Sequence, residues 1–259
     1  MKKFLILLVL ISNSIFSNEA HHEPAKTESH EPVKESKTAE SHDTKSNDKT
    51  NAHAETHHKR EAGPVSSEKA FGWIKNGNTR FLKHRLRTDG ISAKDLEKLS
   101  KGQKPHTIVL SCSDSRVPPE IVFDQRPGEI FVVRTAGQAL DSSAIASIEY
   151  AVSHLGSNLI VVLGHESCGA VKAALGTLKG GDAGSQSLNK LVADLHPRLK
   201  RFSELTPTDN VVVESWANVE GVATDLLSRS EIIQSSIESG EVRIQKGLYH
   251  LATGEVEWR

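Results

Sequence analysis

The chain has only two cysteines, Cys112 and Cys168, one methionine and two tyrosines in 259 residues, and aromatics make up 5% of it. Two cysteines exclude a disulfide framework and allow at most one bridge. Charge of either sign is not in excess: 32 Lys and Arg stand against 33 Asp and Glu, a formal net charge of −1. That balance gives no electrostatic footprint for nucleic acid or for a membrane surface. No apolar run is long enough for a comfortable membrane span, and no G-x-G-x-x-G follows a predicted strand, which argues against a nucleotide-binding domain despite the alternating strands and helices.

What is present is uneven along the chain. Met1-Lys2-Lys3 followed by "FLILLVLISNSIF" reads as a secretory signal ending at Ser17, with Ala20 as a second cleavage point and an uncleaved anchor as the alternative. No cysteine follows the run, so a bacterial lipid anchor is not expected. Residues 18–63 hold almost no aliphatic or aromatic side chains and cannot bury enough surface to offset ordering, so they read as a charged linker. The linker is rich in histidine (His21, His22, His30, His42, His53, His57 and His58), but without fixed spacing. The expectation is a secreted, periplasmic protein with one globular domain over residues 64–259 and no stable membrane anchor after cleavage.

In that domain, "SSEKAFGWIKNGNTRFLKHR" predicts a helical arm interrupted at Gly77, and Ser92 with Asp95 predicts a capping box. "HTIVLS", "EIFVVR" and "NLIVVLGH" predict short strands apolar on both faces. "SSAIASIEYAVSHLG" predicts an amphipathic helix stopped by Gly156, and "SCGAVKAALGTLKGG", "SLNKLVADLHPRLKRF" and "NVVVESWANVEGVATDLLSRS" predict further helices. "EVRIQKGLYHLATGEVEW" predicts a strand pair turning at Thr253-Gly254. The fold class is therefore α/β: a mostly parallel β-sheet flanked by helices, with a projecting N-terminal helical arm and an edge position at which the last strand is able to run antiparallel. His106, His154 and His196 read as helix or surface positions.

Ligands in such sheets gather beyond the C-terminal ends of the strands, where both cysteines fall. Cys112 follows the first strand in "SCSDSRVPPE". Cys168 follows the third in "GHESCG", three residues after His165. H-x-x-C lets two side chains from one turn reach one metal ion, and C-x-D, with Asp114, offers two more ligands. Soft thiolates with an imidazole favour zinc. A Cys112–Cys168 disulfide is the competing reading in an exported chain, and a metal store without catalysis is a second.

"CSDSRVPPE", "PGEIFVVRTAG", "ASIEYAV" and "VVLGHESCGAV", in this order, resemble the β-class carbonic anhydrases over essentially all of residues 65–259. The resemblance implies one Zn2+ per chain, held by Cys112, His165 and Cys168, with Asp114 either a fourth ligand or paired with Arg116. It implies reversible hydration of CO2 to bicarbonate and a proton, by attack of zinc-bound hydroxide, with Asp114 and Arg116 as catalytic residues. It implies substrate contacts from Gln103, Phe131, Ala136, Tyr150 and Gly169, and a homodimer or homotetramer. Core packing competes with the pocket role for Phe131 and Tyr150. Val109 stands where a bicarbonate-regulated subgroup carries Trp, so the constitutively open type is expected. Thr135 and Gln138 depart from the family's common "VVRNAGN".

Overall fold

The computed structural model describes residues 65–259; the signal segment 1–17 and the linker 18–63 read from the sequence lie outside the described residues. Helix α1 (Ser67–Leu82) starts at Ser66, whose hydroxyl accepts from Lys69 N, and α2 (Ala93–Leu99) starts with the expected Ser92/Asp95 capping box. Gly77 does not interrupt α1. It lies on the buried face with Ala70, Ile74 and Asn78, and a Cβ there would stand 1.6 Å from Phe123 O. The glycine marks close approach of two backbones, not a break.

Strand β1 (Thr107–Ser111) leads through the short helix α3 (Pro119–Val122) to β2 (Ile130–Arg134), and α4 (Ser142–Ser153) leads to β3 (Leu159–His165). Then come α5 (Gly169–Thr177), α6 (Gln186–Leu199), α7 (Val212–Arg229), α8 (Glu231–Glu238), β4 (Arg243–Tyr249) and β5 (Val256–Trp258). The sheet order is β2-β1-β3-β4-β5, parallel except for β5, which runs antiparallel to β4 at the edge. The expected strand pair with a turn at Gly254 (φ 79°) is therefore present. Helix α8 was not read from the sequence, although Ser230 caps it.

The two faces of the sheet explain why the strands lack polar alternation. Ile108, Leu110, Ile160 and Val162 pack with α4, α7 and α8, whereas Val109, Leu159, Val161 and Leu163 pack with α1 and α3. Both faces of β1 and β3 are covered, so the central positions of these strands are apolar on either side. His106, expected at a helix or surface, is instead buried, with Nδ1 against Thr107 Oγ1 (2.7 Å) and Nε2 against Gln125 Oε1 (3.1 Å). His106 directly precedes β1, and the strand carries it into the core.

Chain direction reverses its course across the sheet between β1 and β3: β1 connects outward to β2, and β3 onward to β4. This switch opens a crevice at the C-terminal ends of β1 and β3. A third apolar cluster, built on Val171, Ala174, Val192, Leu195 and Leu199, closes around it and includes Cys112 and Cys168. Among the described residues, no helix is long and apolar enough to cross a membrane.

Candidate metal centre

Parallel pairing of Ser111 with Leu163 brings the ends of β1 and β3 side by side. Cys112 leaves β1 there, His165 ends β3, and Cys168 caps the N-terminus of α5 after a tight turn through Ser167 (φ 54°). The ligand atoms of Cys112, His165 and Cys168 lie within 4.8 Å of one another, and all three residues are buried. The sulfurs are 4.0 Å apart and both thiols are free. A disulfide needs about 2.05 Å, whereas two sulfurs at about 2.3 Å from one tetrahedral zinc stand about 3.8 Å apart.

His165 gives the sharpest sign of an ion. Its Nδ1 lies 2.8 Å from Glu166 O, which fixes the proton on Nδ1 and leaves Nε2 as the lone-pair nitrogen. That Nε2 is buried without a hydrogen-bond partner. An orphaned buried nitrogen facing two sulfurs fits a soft divalent metal, since such groups are otherwise paired. The hydrogen bond from Cys168 pushes the Cys112 thiol well below its ordinary range, helped by Gly137 N–H, while the neighbouring Cys112 thiolate and burial push Cys168 up. A cation on both sulfurs removes that conflict.

Asp114 is not gathered with these three. Arg116 Nε donates to its Oδ1 at 2.9 Å, Arg116 Nη2 to its Oδ2 at 2.7 Å, and Arg116 N to Oδ1 at 3.0 Å. The Arg116 guanidinium holds the Asp114 carboxyl far below the usual carboxylate range. Oδ2 nevertheless stands 3.9 Å from His165 Nε2, at the rim of the ligand cluster. Of the two arrangements left open by the sequence, the described structure has the one in which Asp114 is paired with Arg116.

Arg134 is a site residue that sequence reasoning missed. Its Nε donates to Cys112 O at 3.0 Å and its Nη2 to Asp114 O at 2.7 Å, clamping the loop that carries both. The signal was its place at the end of β2, where it pairs in register with Ser111.

The remaining sequence-predicted residues are scattered within one chain. Ala136 lies in the 3-10 turn next to Gly137, and Gly169 opens α5 with free space around it. Phe131 is half-buried on the edge strand β2, packed against the main core. Gln103 is exposed in the segment before β1, at the strand end opposite Cys112. Tyr150 is 49% exposed near the end of α4, its ring 5.2 Å from that of His154.

The sequence profile of the family described as carbonic anhydrase matches residues 107–256. The chain belongs to the carbonic anhydrase family. A carbonic anhydrase of Mycolicibacterium smegmatis is 39% identical over 200 residues, covering 76% of this chain and 94% of that one. The β class follows from solved structures. The β-carbonic anhydrase CcaA is 28% identical with a TM-score of 0.59, over 73% of this chain and 94% of that one. A tetrameric β-carbonic anhydrase of Sordaria macrospora shares the fold, with a TM-score of 0.58 and 24% identity over 73% of this chain and 96% of that one. The parallel sheet with flanking helices is thus the β-carbonic anhydrase fold, and its Cys-His-Cys cluster sits at the switch point of that sheet.

Proposed function

We propose that this carbonic anhydrase hydrates CO2 reversibly to bicarbonate and a proton with one Zn2+, held by Cys112, His165 and Cys168. The observation that carries the reading is the orphaned, buried His165 Nε2 facing two free sulfurs 4.0 Å apart. Bound there, zinc would supply a water acidic enough to ionise near neutral pH.

The chain's own residues supply orientation. Arg116 saturates Asp114 Oδ1 with two N–H donors but gives Oδ2 only one, so Oδ2 keeps a lone pair on the side of His165. That oxygen accepts a hydrogen bond from the attacking water and aims its lone pair at the carbon of CO2. Arg116 keeps Asp114 ionised and away from the ligand set. Arg134 holds the loop so that Cys112 and Asp114 move together. Gly169 N–H, at the open start of α5, is placed to donate to a bicarbonate oxygen.

Gln103 and Tyr150 stand at the far end of the sheet in a single chain, so they reach substrate only across an interface between two copies. Homodimers or homotetramers meet this requirement, and half-buried Phe131 on edge strand β2 is placed to join them. We further propose export to the periplasm, on the basic start and apolar run of residues 1–17.

A metal store is the competing reading. It leaves the Asp114–Arg116 pair without a use, since a store gains nothing from a carboxylate kept beside the ligands but off them. Stopped-flow CO2 hydration on metal-depleted and zinc-reconstituted protein separates the two. Fast turnover restored by about one zinc per chain is expected; bound zinc without turnover between about pH 7 and 9 assigns the chain to storage.

A further inference from the structure

The sulfur of Cys112 receives a hydrogen bond from a backbone turn in left-handed conformation, closed by Gln138 N donating to Thr135 O at 3.1 Å and Thr135 Oγ1 to Ala139 O at 2.7 Å. Gly137 N–H donates to Cys112 Sγ at 3.3 Å. To aim that N–H, the chain takes two successive left-handed residues, Gly137 (φ 65°) and Gln138 (φ 55°). The second is not glycine, and its conformation costs about 1 kcal/mol or more. The turn is also tight, since a Cβ at 137 would stand 2.7 Å from Leu195 Cδ2 and 2.9 Å from Ala170 Cβ.

Further fastening, at the Gly137 carbonyl itself, comes from α7. Asn218 is fully buried, and its Nδ2 donates to Gly137 O at 2.7 Å and to Gln138 Oε1 at 3.1 Å. Gln138 Nε2 in turn donates to Leu163 O on β3 at 2.9 Å. The orientation of the Asn218 amide is set from behind: Arg198 Nη1 donates to its Oδ1 at 3.3 Å, and Arg198 is itself tied to Asp194 and Asp225. With its oxygen committed to Arg198, the amide presents its donors to the turn. The Gly137–Gln138 peptide is thus pinned at its carbonyl while the N–H of Gly137 faces sulfur.

We propose that Asn218 is a positioning residue for the metal centre: it locks the Gly137 turn so that an N–H···S hydrogen bond falls on the Cys112 thiolate. Such a bond withdraws electron density from the sulfur, moderates its donation to the metal and limits its movement. The inference rests on Cys112 being a metal ligand, as in the function proposed above.

The test uses the full domain with cadmium or cobalt in place of zinc. In the cadmium-loaded protein, the Gly137 amide proton is expected to show scalar coupling to the metal nucleus through Cys112 Sγ. In Asn218→Leu, which keeps the volume without donors, that coupling disappears and metal affinity in chelator competition falls about tenfold or more. The sulfur-to-cobalt charge-transfer band moves to longer wavelength, because a thiolate without its hydrogen bond is easier to oxidise. Asn218→Ser, too short to reach Gly137, gives the same losses if the leucine variant does not fold. Cadmium bound through both cysteines without coupling to Gly137 overturns the inference alone, and so does a folded Asn218 variant with unchanged coupling, affinity and band. Failure of cadmium to bind Cys112 overturns the metal reading beneath it.

Discussion

Arg116 and Asp114 lie two residues apart and are joined by three hydrogen bonds, which makes the carboxylate an extension of the arginine and not a free ligand. The consequence is local and chemical. A metal at Cys112, His165 and Cys168 keeps a fourth position that the protein does not fill, the arrangement required of a catalytic zinc site.

Arg134 is expected to matter for rate more than for metal content. Arg134→Ala removes donors to Cys112 O, which is part-buried, and to Asp114 O, which is exposed, so the stability loss is expected at about 1–2 kcal/mol. Turnover is expected to fall about tenfold with zinc content unchanged, because Asp114 loses its fixed distance from the ligands. Steady-state kinetics with metal analysis checks this; loss of zinc in step with activity would show that Arg134 serves ligand geometry instead.

Metal removal is expected to expose the thiols to oxidation. With sulfurs 4.0 Å apart, a small backbone shift brings them to bonding distance. Chelated protein treated with oxidised glutathione should lose both titratable thiols and regain them on reduction, whereas the metal-loaded protein should keep them. Retention of two free thiols by the metal-free protein would show that the loops do not allow the approach.

Two glycines of α1 are predicted to respond oppositely to alanine. A Cβ at Gly77 collides with Phe123 O, so Gly77→Ala is expected to cost about 3 kcal/mol in urea unfolding. A Cβ at Gly72 meets nothing within 4 Å, so Gly72→Ala is expected to stabilise by about 0.5–1 kcal/mol. Equal effects would contradict the close approach of the arm to the loop after α3.

Acid sensitivity is expected to trace in part to His106. Burial holds its imidazolium below the ordinary value of 6.5, opposed by Gln125 and Glu129. The unfolded chain therefore takes up a proton near pH 6.5 that the folded state refuses, and stability falls as pH drops below that value. The slope from this one group is at most about 1.4 kcal/mol per pH unit. Urea midpoints at about pH 7.5 and 5.5 should converge in His106→Gln relative to the parent. A parallel fall in both proteins would assign the acid loss elsewhere.

The strands were legible because both faces of this sheet are buried, so the middles of "TIVLS" and "LIVVLGH" are unbroken runs of Ile, Val and Leu, with polar residues only at their ends. The metal cluster was legible because Cys112, His165 and Cys168 follow strand ends that the α/β pattern places side by side. Gly77 misled because a glycine forced by a neighbouring backbone looks, in sequence, like one that ends a helix. Arg134 and Asn218 were invisible for a related reason. Each acts on backbone atoms 20 or more residues away, Arg134 on Cys112 O and Asn218 on Gly137 O, and no local spacing encodes such a contact. The exposed places of Gln103 before β1 and of Tyr150 on α4, apart from the Cys-His-Cys cluster, were equally beyond the sequence, because spacing along the chain does not fix which end of the sheet a side chain reaches.

The most direct test of the account is the paired measurement of zinc content and stopped-flow CO2 hydration on Asp114→Ala beside the parent protein. The account predicts about one zinc per chain in both and a rate at least about 100-fold lower in the variant, since the carboxylate orients the reaction without holding the metal. An Asp114→Ala protein that loses its zinc, or one that keeps both zinc and full turnover, would contradict it.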